Sequence, residues 1–467
     1  MKLETVIAAN RFGLGARPGE LPAIDDDPRG WLLAQLPGPA ALPADFRDLP
    51  DTAKIIVEVQ EIRETQRDAK RTASDEPAPD VVQKFGAIAR RHYLEQTSAR
   101  FRFAATTDLP FHERLVHFWA NHFAVSADKP PISALAGAFE NEAIRPALSG
   151  SFYNLLLAVE KHPAMLLYLD NPRSIGPQSE LAVRAKRRRR TQQTIGLNEN
   201  LAREILELHT LGVDGGYTQD DVTTFAKVIT GWSIGGAGEG GRFSEGTPGR
   251  FEFRENIHEP GAKTILGRRY GQDGLQQGEA VLQDLARHKS TATFIASKLA
   301  RHFVSDQPPT VLTERLASVF LDTDGDLPSV HKALVESGEC WYSTFGKFKT
   351  PQDFVLSAFR AFNREPENGR YVVGALDLMG QTPYRPGSPA GWPDTADHWG
   401  GADALYKRIE WSNAVARLAG SRVDPLQIGE AVLGPALGTD TRQAVARAES
   451  AEQGLTLLLA SPEFQRR

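Results

Sequence analysis

The chain has a single cysteine, Cys340, in 467 residues. One thiol closes no intramolecular disulfide and builds no cysteine cage for zinc or an iron–sulfur cluster. Long apolar runs are also missing: no stretch approaches the roughly 18 apolar residues of a membrane-spanning helix. The opening MKLETVIAANRFGLG has Glu4 and Asn10 where an export signal needs an unbroken apolar run. The default expectation is a cytoplasmic protein, although a chain stripped of its leader would read the same, so export stays open. Positive charge is not in excess: the formal net charge of -5 argues against the generic basic nucleic-acid binder. No G-x-x-x-x-G-K-[ST], G-x-S-x-G or G-x-G-x-x-G set stands in strand–helix context, which argues against P-loop, serine-hydrolase and Rossmann chemistry.

What is present is an ordinary globular balance, 41% hydrophobic and 24% charged residues. Most segments repeat with helical period. Asp51 to Arg71 is a charged amphipathic stretch ending in the linker Ser74 to Asp80, and a second helix is expected from Val81 to about Phe103. Pro110 suits the start of a helix ending near Phe123. Further helices fit Ala134–Ala147, Phe152–Val159 and Ala164–Leu169. Thr218 with Asp221 reads as a variant capping box. After Gly231 the pattern changes: Gly235 to Gly249 is glycine-rich, and FEF (251–253) and KTILGRRY (263–270) flank a turn, reading as one small β-hairpin. Helical patterns then resume, interrupted by a proline- and glycine-rich loop from Pro383 to Pro393.

The expected fold is mainly α, a large multi-helix body with a small β-hairpin insertion. The expected division is an N-terminal helical region (1–108) with a flexible linker near 72–80. A main helical domain (109–467) follows, with the glycine-rich hairpin insertion at 233–272.

The densest polar stretch is NENLAREILELHTLGVDGGYT, from Asn198 to Thr218. On a helical wheel Leu201, Ala202, Ile205, Leu206 and Leu208 share one arc. Glu199, Asn200, Arg203, Glu204, Glu207 and Thr210 fill the opposite one. Glu199–Arg203 and Arg203–Glu207 are i,i+4 pairs of opposite charge. Two readings stay open: a solvated surface face, or a carboxylate-lined wall in which Glu199, Glu204 or Glu207 acts as base and Arg203 holds the acids in place.

His122 falls on the wheel with Phe111, Leu115 and Phe118, so it is either a satisfied core histidine or a ligand. His117 points to the other side and is expected to be solvated. His112-Glu113 with His117 misses the HExxH spacing by one, leaving its histidines about 140° apart on a regular helix. His258 sits in the hairpin turn with Lys263 five residues on. Asp170 ends an apolar helix and could line a cleft. The run Arg184-Ala185-Lys186-Arg187-Arg188-Arg189-Arg190 is the one strong basic cluster. Arg187, Arg188, Arg189 and Arg190 read as a solvated loop or an anion-binding patch. Asp322 to Asp326 misses a calcium loop, and Asp326 reads better as a helix N-cap.

Several segments together carry a resemblance. ANRFGLGARPGE, FWANHFAVS, AMLLYLDN, GLNENLAREILELHTLGVDGGYTQDDV, ITGW, HEPGAKTILG, KFKTPQDFV and SPAGWPD occur in one order. The chain resembles the bacterial domain-of-unknown-function family numbered 1800, from about Ala9 to the final SPEFQRR. The resemblance implies a mainly helical protein. It also implies a neighbouring-gene partner that looks like a sulfatase or alkaline phosphatase relative. It carries no activity. Its motif positions fall on Asn121, His122, Asp170, Asn171, Asn198, Glu199, Asn200, Arg203, Glu204, Glu207, His258 and Lys263.

Two functions are weighed. One is a hydrolase with Glu199, Glu204, Glu207, Arg203 and Lys263 as catalytic groups. Its metal ligands would be His122, His258 and Asp170, which suit a divalent ion such as zinc, manganese or iron. The other is a non-catalytic assembly or partner protein. Nucleic-acid binding and a membrane span are not expected.

Overall fold

The computed structural model describes residues 1–72, 79–187, 196–236, 246–342, 345–419 and 423–467, with side chains from 63 to 85 left out. Most of the expected linker near 72–80, much of the glycine-rich segment, and Arg188, Arg189 and Arg190 lie outside the described residues. No described helix is long and apolar enough to cross a membrane.

The fold is mainly α, with two small two-stranded antiparallel sheets. Local signals set many boundaries. Pro110 opens the Pro110–His122 helix, where its missing N–H costs no hydrogen bond. The Thr218–Asp221 capping box forms and starts the Gln219–Val228 helix. Asp326 caps the Leu327–Glu336 helix by accepting from the Ser329 N–H at 2.9 Å.

The sheets depart from the single expected hairpin. Phe251–Phe253 pairs with Trp232–Ile234, and Lys263–Ile265 pairs with Arg268–Tyr270. The second pair closes through Leu266 and Gly267, both at positive φ. That two-residue turn satisfies the twist of a tight hairpin within KTILGRRY itself, so FEF is left to find another partner.

One apolar core runs from Val6 to Phe464. Phe12, near the N-terminus, stacks on Phe303, packs tilted against Trp341 and meets Phe111 edge-on. Residues on both sides of position 108 therefore share this core. The Pro110–His122 helix runs through it, and every residue from Pro110 to Trp119 is buried. A helix buried all round is ordinarily apolar. This one carries Glu113, Arg114, His117 and His122, and buried charges persist only when partnered. Where those partners lie defines the candidate site.

The NEN block folds as an α-turn, Asn200–Glu204, continued by a π-helical turn, Ile205–Thr210. The Leu211 N–H reaches back five residues to the Leu206 carbonyl. The extra residue in the π turn shifts the wheel's phase. His209 and Thr210 become fully buried, while Leu208, expected on the apolar arc, is only half-buried.

Candidate functional site

The Pro110–His122 helix forms one wall of a cavity with room for the centres of water-sized molecules over about 90 Å³. Asn121 and Ala124 line it from the helix and the turn after it, and Thr350, Gln352 and Asp353 from the start of the Pro351–Ala361 helix. Tyr384, Trp392 and Asp394 come from the proline- and glycine-rich loop, and His302 from the Lys289–Phe303 helix. Three segments that carry the family resemblance thus meet here: FWANHFAVS, KFKTPQDFV and SPAGWPD.

Asn121 holds the loop in place. Its amide N donates to the Trp392 carbonyl at 2.9 Å, and its Oδ1 accepts from the Trp392 N–H at 2.7 Å. Gly391, next to this clamp, has φ 79. A Cβ there would meet the Asn121 carbonyl oxygen at 2.2 Å, so only glycine permits this approach.

The clamp sets Asp394 against His302. His302 Nδ1 lies 2.7 Å from Asp394 Oδ2, while Nε2 is buried with no hydrogen-bond partner among the described residues. Burial lowers the imidazole to about 4 despite the opposing pull of Asp394. The ring is therefore neutral at pH 7, its Nδ1–H donates to the carboxylate, and Nε2 offers a lone pair. Burial pushes the Asp394 carboxyl up, but His302 and Lys347 outweigh this and hold it at about 2. Lys347 Nζ contacts Asp394 Oδ1 at 3.2 Å and Asp306 at 2.6 Å.

Two ion networks border the cavity. In the first, Arg114 donates to both oxygens of Asp353 (3.1 and 3.3 Å), and Arg467 Nε donates to Oδ2 at 2.9 Å. Burial raises the Asp353 carboxyl, yet these two guanidiniums hold it far below the usual carboxylate range. In the second, Glu113 pairs with Arg145, and Glu140 accepts from Arg100 Nε at 2.9 Å. Arg100 also donates to Gln352, whose amide donates to His117 Nδ1 at 3.2 Å.

Glu113, His117 and Glu140 offer ligand atoms within 4.8 Å of one another, a metal-like spacing. His117, expected to be solvated, is buried here, because the helix carries packed neighbours all round. The two carboxylates already face two guanidiniums, Arg100 and Arg145. A divalent cation would have to displace them or add two charges to a balanced buried set. The cluster fits a structural ion network better than a metal cage.

Of the family motif positions Asn121 lines the cavity; the described residues nominated as catalytic, metal-ligating or anion-binding lie elsewhere, and none of them lines it. Glu199 pairs with Arg203 at 3.1 Å and accepts from Gln219 and Thr223. Glu207 accepts from the Tyr217 hydroxyl at 3.3 Å. Asp170 pairs with Lys129 at 2.6 Å. His258, expected in a hairpin turn, lies instead in the connection between the two sheets, with its Nδ1 2.8 Å from the Thr230 carbonyl; Lys263 opens the strand Lys263–Ile265, and its Nζ donates to the Glu259, Pro260 and Gly261 carbonyls. Arg187 is exposed at the end of the Glu180–Arg187 helix.

His122 does meet the NEN block. Its Nε2 lies 3.2 Å from the His209 carbonyl, and burial drives its pKa well down, aided by Lys298. His209 Nδ1 in turn contacts Glu160 at 2.7 Å, fully buried. Glu204, half-buried and without a hydrogen bond or ion pair among the described residues, has its carboxyl raised by burial, with His209 and Glu160 near enough to act on it.

Sequence reasoning missed His302, Asp394, His209 and Glu160. His302 stands seven residues after Ile295, and Glu160 four after Leu156, both on apolar stripes. Their positions on those stripes match that of His122 on its own helix. Asp394 lies in a loop with no periodicity, so only the SPAGWPD resemblance pointed there.

Among curated proteins and among solved structures, none matches this chain. A family profile described as a protein of unknown function (DUF1800) matches residues 7–466. With that match spanning nearly its whole length, the chain belongs to the DUF1800 family.

Proposed function

We propose that the chain is a hydrolase whose active centre is the cavity beside His302. The observation that carries this reading is the Asp394–His302 pair: His302 is among the residues lining the cavity, and its Nε2, buried beside it, has no hydrogen-bond partner among the described residues. Nε2 would take a proton from water as the water oxygen attacks an electrophilic carbon or phosphorus. The imidazolium, stabilised by Asp394, would return that proton to the leaving group. Neutral imidazole at pH 7 suits the first step, and Asp394 fixes the tautomer that exposes the lone pair.

Glu204 is retained as a rival base, because among the described residues it is the half-buried acid of the NEN block with neither an ion pair nor a hydrogen bond, whereas Glu207 accepts from Tyr217. A metal-assisted version would place zinc, manganese or iron at His122. Metal analysis of purified wild-type and His122→Ala protein tests it, and equal, negligible metal in both would remove it.

The experiment is a panel of chromogenic esters and phosphoesters assayed with His302→Gln, Asp394→Asn and Glu204→Gln. Loss of roughly 10²–10⁴-fold in the first two, with Glu204→Gln near wild type, supports the His302 reading. Turnover that survives in His302→Gln overturns it.

The assembly reading has one observation of its own. Leu405, Tyr406 and Ile409 are exposed on one face of the Ala402–Ala419 helix. Co-purification with a sulfatase-like neighbouring-gene product, lost on Tyr406→Lys and Ile409→Lys, would favour it. Unchanged co-purification would count against this face.

A further inference from the structure

The charged groups that line the cavity are already paired. Arg100 bonds to Glu140, Arg114 to Asp353, and Asp394 to His302 and Lys347. What the lining leaves unpartnered is neutral. The Tyr384 hydroxyl makes no hydrogen bond among the described residues. Gln381 Oε1 accepts from the Gln352 N–H at 2.7 Å, which leaves the Gln381 NH2 without an acceptor among them. Thr350 Oγ1 accepts from the Asp353 N–H at 3.2 Å, and its own O–H stays available to donate. His302 adds a lone pair at Nε2. Tyr384 Oη and Gln381 Nε2, unlike that nitrogen, keep surface open to water.

Tyr384 is held where it stands at some cost. Its φ is 55, a left-handed backbone that a bulky side chain rarely adopts. Three contacts pin it: the Ala127 N–H donates to the Tyr384 carbonyl at 2.7 Å, the Tyr93 hydroxyl donates to the Pro383 carbonyl at 2.8 Å, and Arg385 pairs with Asp128 at 2.7 Å. A strained residue so over-determined is characteristic of binding and active sites. Burial and Glu140 raise the Tyr384 hydroxyl well above its ordinary value, so it stays a protonated donor. The Arg100 guanidinium lies 5.1 Å from the Tyr384 ring centroid, and the Trp392 side chain belongs to the same lining.

We propose that the cavity binds a neutral monosaccharide unit of the substrate, its hydroxyls held by Tyr384, Gln381 and Thr350 and its ring packed on Trp392. This inference rests on the reading of the cavity as the active centre and names its substrate class. A hydroxyl both accepts and donates, so a ligand dense in them can satisfy the three donors and the Nε2 lone pair together. An aromatic wall suits the C–H face of a sugar ring. With all the lining charges paired, a charged ligand would meet no free counter-charge. Room of about 90 Å³ for the centres of water-sized molecules suits one ring rather than a chain.

The test measures binding of glucose and N-acetylglucosamine to the full chain by calorimetry, with glucuronate and glucosamine as charged counterparts. Saturable heat is the readout, because sugars stabilise folded proteins by exclusion without binding. Saturable binding of at least one neutral sugar is expected. It should be about five- to tenfold weaker in Tyr384→Phe, which removes the hydroxyl and breaks no existing hydrogen bond. Gln381→Glu, which keeps the acceptor for Gln352 and removes the NH2, should weaken it similarly and serves if Tyr384→Phe does not fold. Absence of saturable binding, equal affinity in wild type and in the folded variant, or tighter binding of glucuronate or glucosamine than of both neutral sugars overturns the proposal. Sugar binding alongside undiminished turnover in His302→Gln would sink the hydrolase reading alone. Turnover lost in His302→Gln with no sugar binding would sink this inference alone.

Discussion

The NEN face and the His302 cavity are both dense in polar residues, yet they are built in opposite ways. On the NEN face the partners are close in sequence and partly solvated: Glu199 with Arg203, Gln219 and Thr223, and Glu207 with Tyr217. In the cavity they are distant in sequence and buried: Arg114 with Asp353, Arg467 with Asp353, and His302 with Asp394. Local pairs are legible on a wheel but weak in water. Long-range buried pairs are silent in the sequence, and breaking one leaves a bare charge in a low dielectric. Polar density along the chain is thus a poor guide to where chemistry is held, and burial with a long-range partner is a better one.

The comparison can be broken or sharpened by substitution. The largest effect is expected from Arg145→Ala, which strands Glu113 in the core and should cost about 3–5 kcal/mol of stability in urea unfolding. A loss below about 1 kcal/mol would mean that the network is not held as described.

Acid should act next. His302 and His112 are held at about 4 and His331 at about 3, all by burial. The unfolded value is about 6.5, so the unfolded chain binds more protons below that pH. Stability should be complete above pH 6.5 and fall as pH drops towards 4, by about 2 kcal/mol per histidine at pH 5. Urea midpoints at pH 7.5 and pH 5 check the sign, and a midpoint that rises at pH 5 contradicts it.

Asn121→Ala should cost about 1–3 kcal/mol, because it leaves the Trp392 N–H and carbonyl without their partners. Hydrogen exchange should quicken in the loop from Pro383 to Pro393 and not in the NEN helix. The smallest effect belongs to the NEN face: Arg203→Ala should cost under about 1 kcal/mol, since Glu199 keeps Gln219 and Thr223. A loss comparable to that of Arg145→Ala would erase the contrast between the two regions.

Much of the helical frame could be read from residues alone. Pro110, Thr218, Asp221 and Asp326 start helices by local hydrogen-bond rules, and their neighbours obey. The hairpin was legible as β but not in its pairing, because Leu266 and Gly267 close a turn that competes with the longer loop. His122 was correctly placed on an apolar stripe, while His117 was not, because a wheel shows one helix and not what surrounds it. The phase of the NEN block failed in its last turn, where a π turn leaves Leu208 half-buried and buries His209 and Thr210, the latter expected on the polar arc.

The sequence by itself determined the family, the mainly helical class and many of the helix starts, because these depend on patterns spanning a few residues or on long shared motifs. Only the tertiary structure decided which charges are buried and with whom. Arg114 finds Asp353 across 239 positions, and His302 finds Asp394 across 92. No local periodicity encodes such pairings. They arise when packing brings distant segments together and removes the water that would otherwise have satisfied them.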